Sequence, residues 1–141
     1  MKTNTIIFII AAIVLLILLI YIVSKRRLKQ KRLLIKWQSL MKLINNPKKW
    51  SDFAVQSDKL IIEVLKFKHY KGKSPGERIV SAQHIFTNND DVWYCHKLAS
   101  QIINDGLVVE DKQIVLRIIH SVRQSLIDLS LLKDEKKITH D

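Results

Sequence analysis

Residues 6–23 read IIFIIAAIVLLILLIYIV, a run without a charged side chain in which fifteen of eighteen residues are Ile, Leu, Val or Phe. A helix rises about 1.5 Å per residue, so the run spans roughly 27 Å, close to the roughly 30 Å hydrocarbon core of a bilayer. At about 0.3 to 0.6 kcal/mol per apolar residue, insertion is favourable by roughly 5 to 9 kcal/mol, an upper estimate. The run is predicted to be a transmembrane helix, with Tyr21 near one end, where an aromatic ring with a polar tip prefers the interface. A cleaved signal peptide has a shorter apolar stretch and small residues at its cleavage site. Here Tyr-Ile-Val-Ser runs directly into Lys-Arg-Arg, so the span reads as a retained anchor.

Outward from the span, charge is distributed very unevenly. The chain has 141 residues and a net charge of +11, yet residues 25–49 hold ten Lys or Arg and no acid, while residues 50–141 hold thirteen of each sign. The excess therefore belongs to the stretch beside the apolar run. Nucleic-acid modules carry their positive charge on the folded surface itself, whereas a cationic block flanking a span sets membrane topology. Lys25, Arg26, Arg27, Lys29, Lys31 and Arg32 follow the span at once. The positive-inside rule then places the protein in the cell membrane as a single-pass chain, N-terminus outside and C-terminal domain in the cytoplasm. The same cations can attract anionic headgroups at about 1 kcal/mol each, although a topology signal without lipid selectivity is the simpler reading. The partners read from this pattern are the lipid bilayer and a protein partner or second copy, with nucleic acid disfavoured. Dimerisation fits the small core available to so short a domain.

The segmentation is a short flank at 1–5, the span at 6–23, a basic juxtamembrane amphipathic helix at 24–46, a helical bundle at 47–132 and a polar tail at 133–141. In the basic segment Leu33, Leu34, Trp37, Leu40, Met41 and Ile44 share one stripe. Asn46 is placed to cap the next helix, with Pro47 at its first position. That helix reaches about Phe67, with Trp50, Phe53, Ala54, Leu60, Ile61, Val64, Leu65 and Phe67 on a wide apolar arc, and is expected to be central. After a turn at His69–Gly72, Ser74-Pro75-Gly76-Glu77 reads as a capping box opening a short helix to about Phe86. The loop Thr87–Asp90 can cap a fourth helix with Val92, Cys95, Leu98, Ala99, Ile102 and Ile103 on its apolar side and Gly106 as its stop. Leu107–Val109 reads as an extended connection. Asp111 then starts a fifth helix with Ile114, Val115, Ile118, Ile119, Val122, Leu126 and Leu129 in register. The fold class is all-α: one N-terminal transmembrane helix followed by a bundle of four to five helices.

The runs SDKLIIEVLKFKHYKGKSPGERIVSAQ and DVWYCHKLASQIIND resemble a widespread group of uncharacterised, membrane-anchored helical bacterial proteins with a HEPN-like bundle. Asp58, Lys59, Leu60, Gly72, Gly76, Glu77, Arg78, Trp93, His96 and Lys97 carry the likeness, which covers roughly the whole soluble domain. In that group the helix matching Trp93–Asn104 reads Trp-x-x-His-Lys-x-Arg-Asn-x-x-x-His. Active HEPN ribonucleases use an arginine to stabilise phosphate charge and a histidine to move protons, roles that are physically sound. The corresponding positions here are Ala99, Ser100 and Asn104. Alanine cannot pair with phosphate and an Asn amide does not titrate near neutral pH, so the departure implies no ribonuclease activity and no catalytic residues.

Other chemistry finds no better support. His69, His84, His96, His120 and His140 lack metal-ligand spacing, and there is neither a glycine-rich phosphate loop nor a Gly-x-Ser-x-Gly elbow. Cys95, the only cysteine, excludes an intrachain disulfide, fits a reducing compartment and falls on an apolar helix side as a small hydrophobe. No cofactor, metal or small-molecule substrate is implied. What stands out is a helical face on which Trp93, Lys97, Ser100 and Asn104 lie within about 60° of one another, with His96 alongside. Two readings of it remain open: a partner or dimer surface, or a packed Trp93 beside solvated neighbours. His96 is expected to act as a hydrogen-bond partner rather than a catalyst. The function read from the sequence is a membrane-anchored, non-enzymatic interaction module facing the cytoplasm. The alternative is a membrane-tethered nucleic-acid-binding domain of degenerate HEPN-like type.

Overall fold

A computed structural model describes residues 2–134, so Met1 and the greater part of the expected polar tail, with His140, lie outside the described residues. The elements are α1 (Lys2–Met41), two 3-10 turns (Lys42–Asn45 and Pro47–Lys49), α2 (Trp50–Phe67), α3 (Pro75–Ala82), α4 (Asn89–Asp105) and α5 (Lys112–Asp128). The described residues contain no strand. The chain is all-α, as the apolar periodicities predict. It divides into two compact units, Met1–Leu33 and Leu34–Asp141, a boundary that falls inside the segment read as 24–46.

In the first unit, α1 is helical through the whole of residues 6–23, and every side chain there is exposed. Its length and apolarity suffice to cross a membrane. Straight-chain and branched aliphatic residues without Gly or Pro keep the helix unbroken across this stretch.

The second unit is built on α2, which packs against α3, α4 and α5. Phe53, Val64 and Leu65 of α2 are fully buried, together with Ile79 of α3 and Val115, Ile118, Val122 and Leu126 of α5. Each such side chain contributes about 1.5–3 kcal/mol on burial. At the start of the unit, Trp37 is buried and Lys36 Nζ donates to both Glu63 oxygens, at 2.8 and 2.6 Å. Trp50 Nε1 donates to the Ile44 carbonyl at 2.8 Å.

Punctuation residues set the helix ends. Ser74 Oγ accepts from Glu77 N at 3.2 Å, Asn88 Oδ1 from Asp91 N at 3.2 Å, and Asp111 Oδ1 from Gln113 N at 2.8 Å, each satisfying an otherwise orphaned helix donor. Gly106 ends α4 in the left-handed region at φ 69°. Two caps differ from the sequence expectation. Asn46 accepts from Lys48 N and so caps the short 3-10 turn, with α2 starting only at Trp50. Glu77 reaches back to Lys73 N at 2.6 Å, one residue before the cap. In the same loop Arg78 donates to the carbonyls of Tyr70 at 2.7 Å and Gly72 at 2.6 Å.

Three further expectations are corrected. The third helix stops at Ala82 rather than near Phe86, because the Gln83 and Ile85 amides bond three residues back, to Val80 and Ala82, and close single turns. Ile103 is 62% exposed, since residues 103–105 at the end of α4 are all exposed, beyond its buried stretch. Met41, in the last turn of α1, is exposed as well. Conversely Ile62 and Val109, which the apolar stripes do not include, are buried, the Val109 amide donating to Ser51 Oγ at 2.9 Å.

Candidate functional site

The buried arc of α2 is interrupted by an acid. Asp58 follows Ala54 by four residues and precedes Ile61 by three, so its side chain leaves the helix on the packed side. Opposite it, α4 presents His96, four residues after Val92 and three before Ala99, both buried. The two side chains are only 15% and 19% exposed, and His96 Nδ1 lies 3.0 and 3.1 Å from the two Asp58 oxygens. An Nδ1–H donates to the carboxylate whichever charge the ring carries. Burial raises the Asp58 carboxyl above its ordinary value, and the attraction and hydrogen bond of His96 act against that rise.

Around this pair the structure gathers several residues of the resemblance. The Trp93 and His96 rings meet edge to face with centroids 6.0 Å apart. The same indole lies against Gly76 of α3, where an added Cβ would stand 3.7 Å from Trp93 Cη2, an ordinary packing distance. Ser100 Oγ donates back to the His96 carbonyl at 3.0 Å. Below the pair, Asp58, Ile61, Val92, Cys95, Ser121, Val122 and Ser125 line a cavity of about 10 Å³, the size of a single water. Burial pushes the Cys95 thiol up to about 11, against a hydrogen bond with Ser121, which keeps the sulfur a neutral, weakly nucleophilic thiol.

The face read from the sequence is thus divided. Trp93, His96 and Ser100 are half-buried and engaged with α2, α3 or their own helix, while Lys97 and Asn104 are exposed. Ala99 is 1% exposed in the core. The partnership of His96 with Asp58 is not explicit in the sequence, since 38 residues separate them. An ionisable residue within the apolar arc of α2 and another at the edge of the apolar side of α4 are the signal that points to it.

A second polar cluster lies where the start of α4 meets α5. Arg117 stacks over the Tyr94 ring at 3.8 Å and donates to Asp91 Oδ1 through Nε at 2.7 Å and Nη2 at 2.6 Å. That hydrogen bond holds the guanidinium further toward its charged form. Asp128 accepts from the Thr87 amide and hydroxyl, both at 2.8 Å, pinning the α3–α4 loop to the end of α5. These groups satisfy one another. Lys25, Arg26, Arg27, Lys29, Lys31 and Arg32 are exposed on α1, with the Lys25 ammonium 5.6 Å from the Tyr21 ring centroid and Lys29 engaged in an interaction of its own. Among the described residues, no three or more His, Cys, Asp or Glu side chains gather to hold a metal ion. Comparison of the chain with protein-family models, with curated proteins and with solved structures returned no match.

Proposed function

We propose that the chain is a single-pass protein of the cell membrane, N-terminus outside, whose helical domain serves in the cytoplasm as a non-enzymatic interaction module for a protein partner or a second copy of itself. Residues 6–23 support the anchoring, being exposed, apolar and long enough to span. Six cations in the eight residues 25–32 support the orientation. The observation that carries the non-enzymatic reading is the closure of Asp58 on His96. Asp58 holds the ring through Nδ1 and ties α2 to α4, and the space beside the pair takes about one water, too little for a substrate. The likeness to the HEPN-like group supports a HEPN-like arrangement of the bundle without its ribonuclease chemistry.

Three experiments test this reading. A C-terminal reporter active only in the cytoplasm is expected to be active, and a silent fusion at normal expression contradicts the orientation. Cross-linking in native membranes is expected to return the chain itself or a defined protein, and a return of neither contradicts the interaction role. Metal-independent RNA cleavage by the purified protein, lost on substituting His96, contradicts the non-enzymatic reading. The ten cations of residues 25–49 favour a second reading, nucleic-acid binding, which requires strongly salt-dependent binding that disappears when those residues are deleted.

A further inference from the structure

We infer that residues 25–32 form a lipid-recognition collar that concentrates anionic phospholipid headgroups around the foot of α1. The inference rests on the membrane reading and goes beyond it, because a topology signal requires only net positive charge, whereas recognition requires cations placed where headgroups lie. Three observations carry it.

The first is height. Counting about 1.5 Å per residue from Val23, Lys25 lies about 3 Å and Arg32 about 13.5 Å beyond the apolar span. The headgroup layer is roughly 5–7.5 Å deep on each side, and charges act over a further ~8 Å at physiological ionic strength. Lys25, Arg26, Arg27, Lys29, Lys31 and Arg32 all fall inside that reach. Lys36, in the second unit, is already bound to Glu63 at 2.6 Å.

The second is azimuth. At about 100° per residue, the six cations stand near 0°, 100°, 200°, 40°, 240° and 340°, leaving no gap wider than about 100°. A polyanionic strand or an acidic protein face approaches a helix from one side and matches a stripe. A collar charged on every side matches a ring of surrounding lipids. The exposure of all six residues agrees with this.

The third is what accompanies the charges. Residues 1–49 contain no Asp or Glu, so the helix that carries the cations has no acid of its own. One turn below Lys25, Tyr21 marks the interface, with the ammonium 5.6 Å from its ring centroid.

The test uses the full chain in nanodiscs of phosphatidylcholine containing one fifth phosphatidylglycerol, comparing spin-labelled phosphatidylglycerol with spin-labelled phosphatidylcholine for motional restriction at the protein. The wild-type chain is expected to prefer phosphatidylglycerol by about five-fold or more, the equivalent of at least one near-surface cation. The preference is expected to fall close to one when Lys25, Arg26, Arg27, Lys29, Lys31 and Arg32 are all changed to Gln, and to weaken in 1 M salt, where the Debye length is about 3 Å. Changing Lys42, Lys48 and Lys49 to Gln is expected to leave it intact. Equal preference in the wild-type chain and the sixfold variant, or a loss caused by the Lys42, Lys48 and Lys49 variant instead, overturns the collar. Failure to float with vesicles of pure phosphatidylcholine separates the other case, in which the membrane reading itself falls.

Discussion

Replacing His96 with Ala removes the imidazole that bonds the Asp58 carboxylate while leaving the acid largely buried on α2. Breaking a fully buried charge pair by deleting one partner costs about 3–5 kcal/mol, and an unsatisfied buried polar group about 1–3 kcal/mol. With 15–19% of each side chain still exposed, the expected loss is about 2–3 kcal/mol. For a domain of this size that lowers Tm by roughly 10–20 °C. All three tryptophans, Trp37, Trp50 and Trp93, lie in the second unit, so tryptophan fluorescence of the full chain in detergent reports the melting of that unit alone. The sign of the pH dependence follows from the raised Asp58 value. A carboxyl whose folded value lies above its unfolded one contributes stability that is complete below the unfolded value and disappears as pH rises through the folded value. Without His96 only burial acts, so the folded value rises further and the window of loss extends to higher pH. The deficit of His96→Ala is therefore expected to shrink as pH falls from 7 toward about 4, where the lone carboxyl is protonated. An Asp58→Ala/His96→Ala double variant is expected to show a coupling of about 0.5–3 kcal/mol. A His96→Ala protein within about 0.5 kcal/mol of wild type, or a deficit independent of pH, refutes the reasoning.

Gly72→Ala should destabilise by about 2 kcal/mol or more, because φ is +152° and the new Cβ would sit 2.6 Å from Arg78 N; Gly106→Ala, in open space at φ +69°, should cost only about 1–2 kcal/mol, so equal Tm losses contradict the geometry. Phe53→Ala should cost about 3–5 kcal/mol, being 0% exposed in the first turn of α2, and a chemical-denaturation midpoint close to wild type rules out that core. Cys95, buried with its thiol pushed up to about 11, should react with iodoacetamide at pH 8 far more slowly in the native chain than in denaturant; equal rates measured by mass spectrometry contradict its burial.

Most of the helix boundaries are legible because they depend on local chemistry. Ser74, Asn88 and Asp111 cap through atoms two or three residues away, and Gly106 supplies a left-handed stop, so a short window contains the whole cause. The end of α3 is less legible, since residues 83–86 keep an apolar pattern that does not distinguish a helix from single turns. Periodicity also overstates burial at Ile103, where the helix outlasts its cover, and misses Val109, whose burial comes with a bond to Ser51 far away in the chain. At the candidate site, Trp93, His96 and Ser100 are visible as polar or aromatic positions on one helix. Their neighbours on α2 and α3, Asp58 against His96 and Gly76 against Trp93, are not contained in a wheel drawn for α4 alone. The contact of Arg117 with Asp91 and Tyr94 is hidden for the same reason.

The account stands on residues 6–23 remaining in the chain and residing in lipid. The direct measurement is intact mass of the protein recovered after alkaline carbonate extraction of native membranes. The account predicts that it stays with the membrane pellet with a mass that includes residues 6–23; recovery from the aqueous phase of a shortened chain lacking the apolar stretch contradicts it.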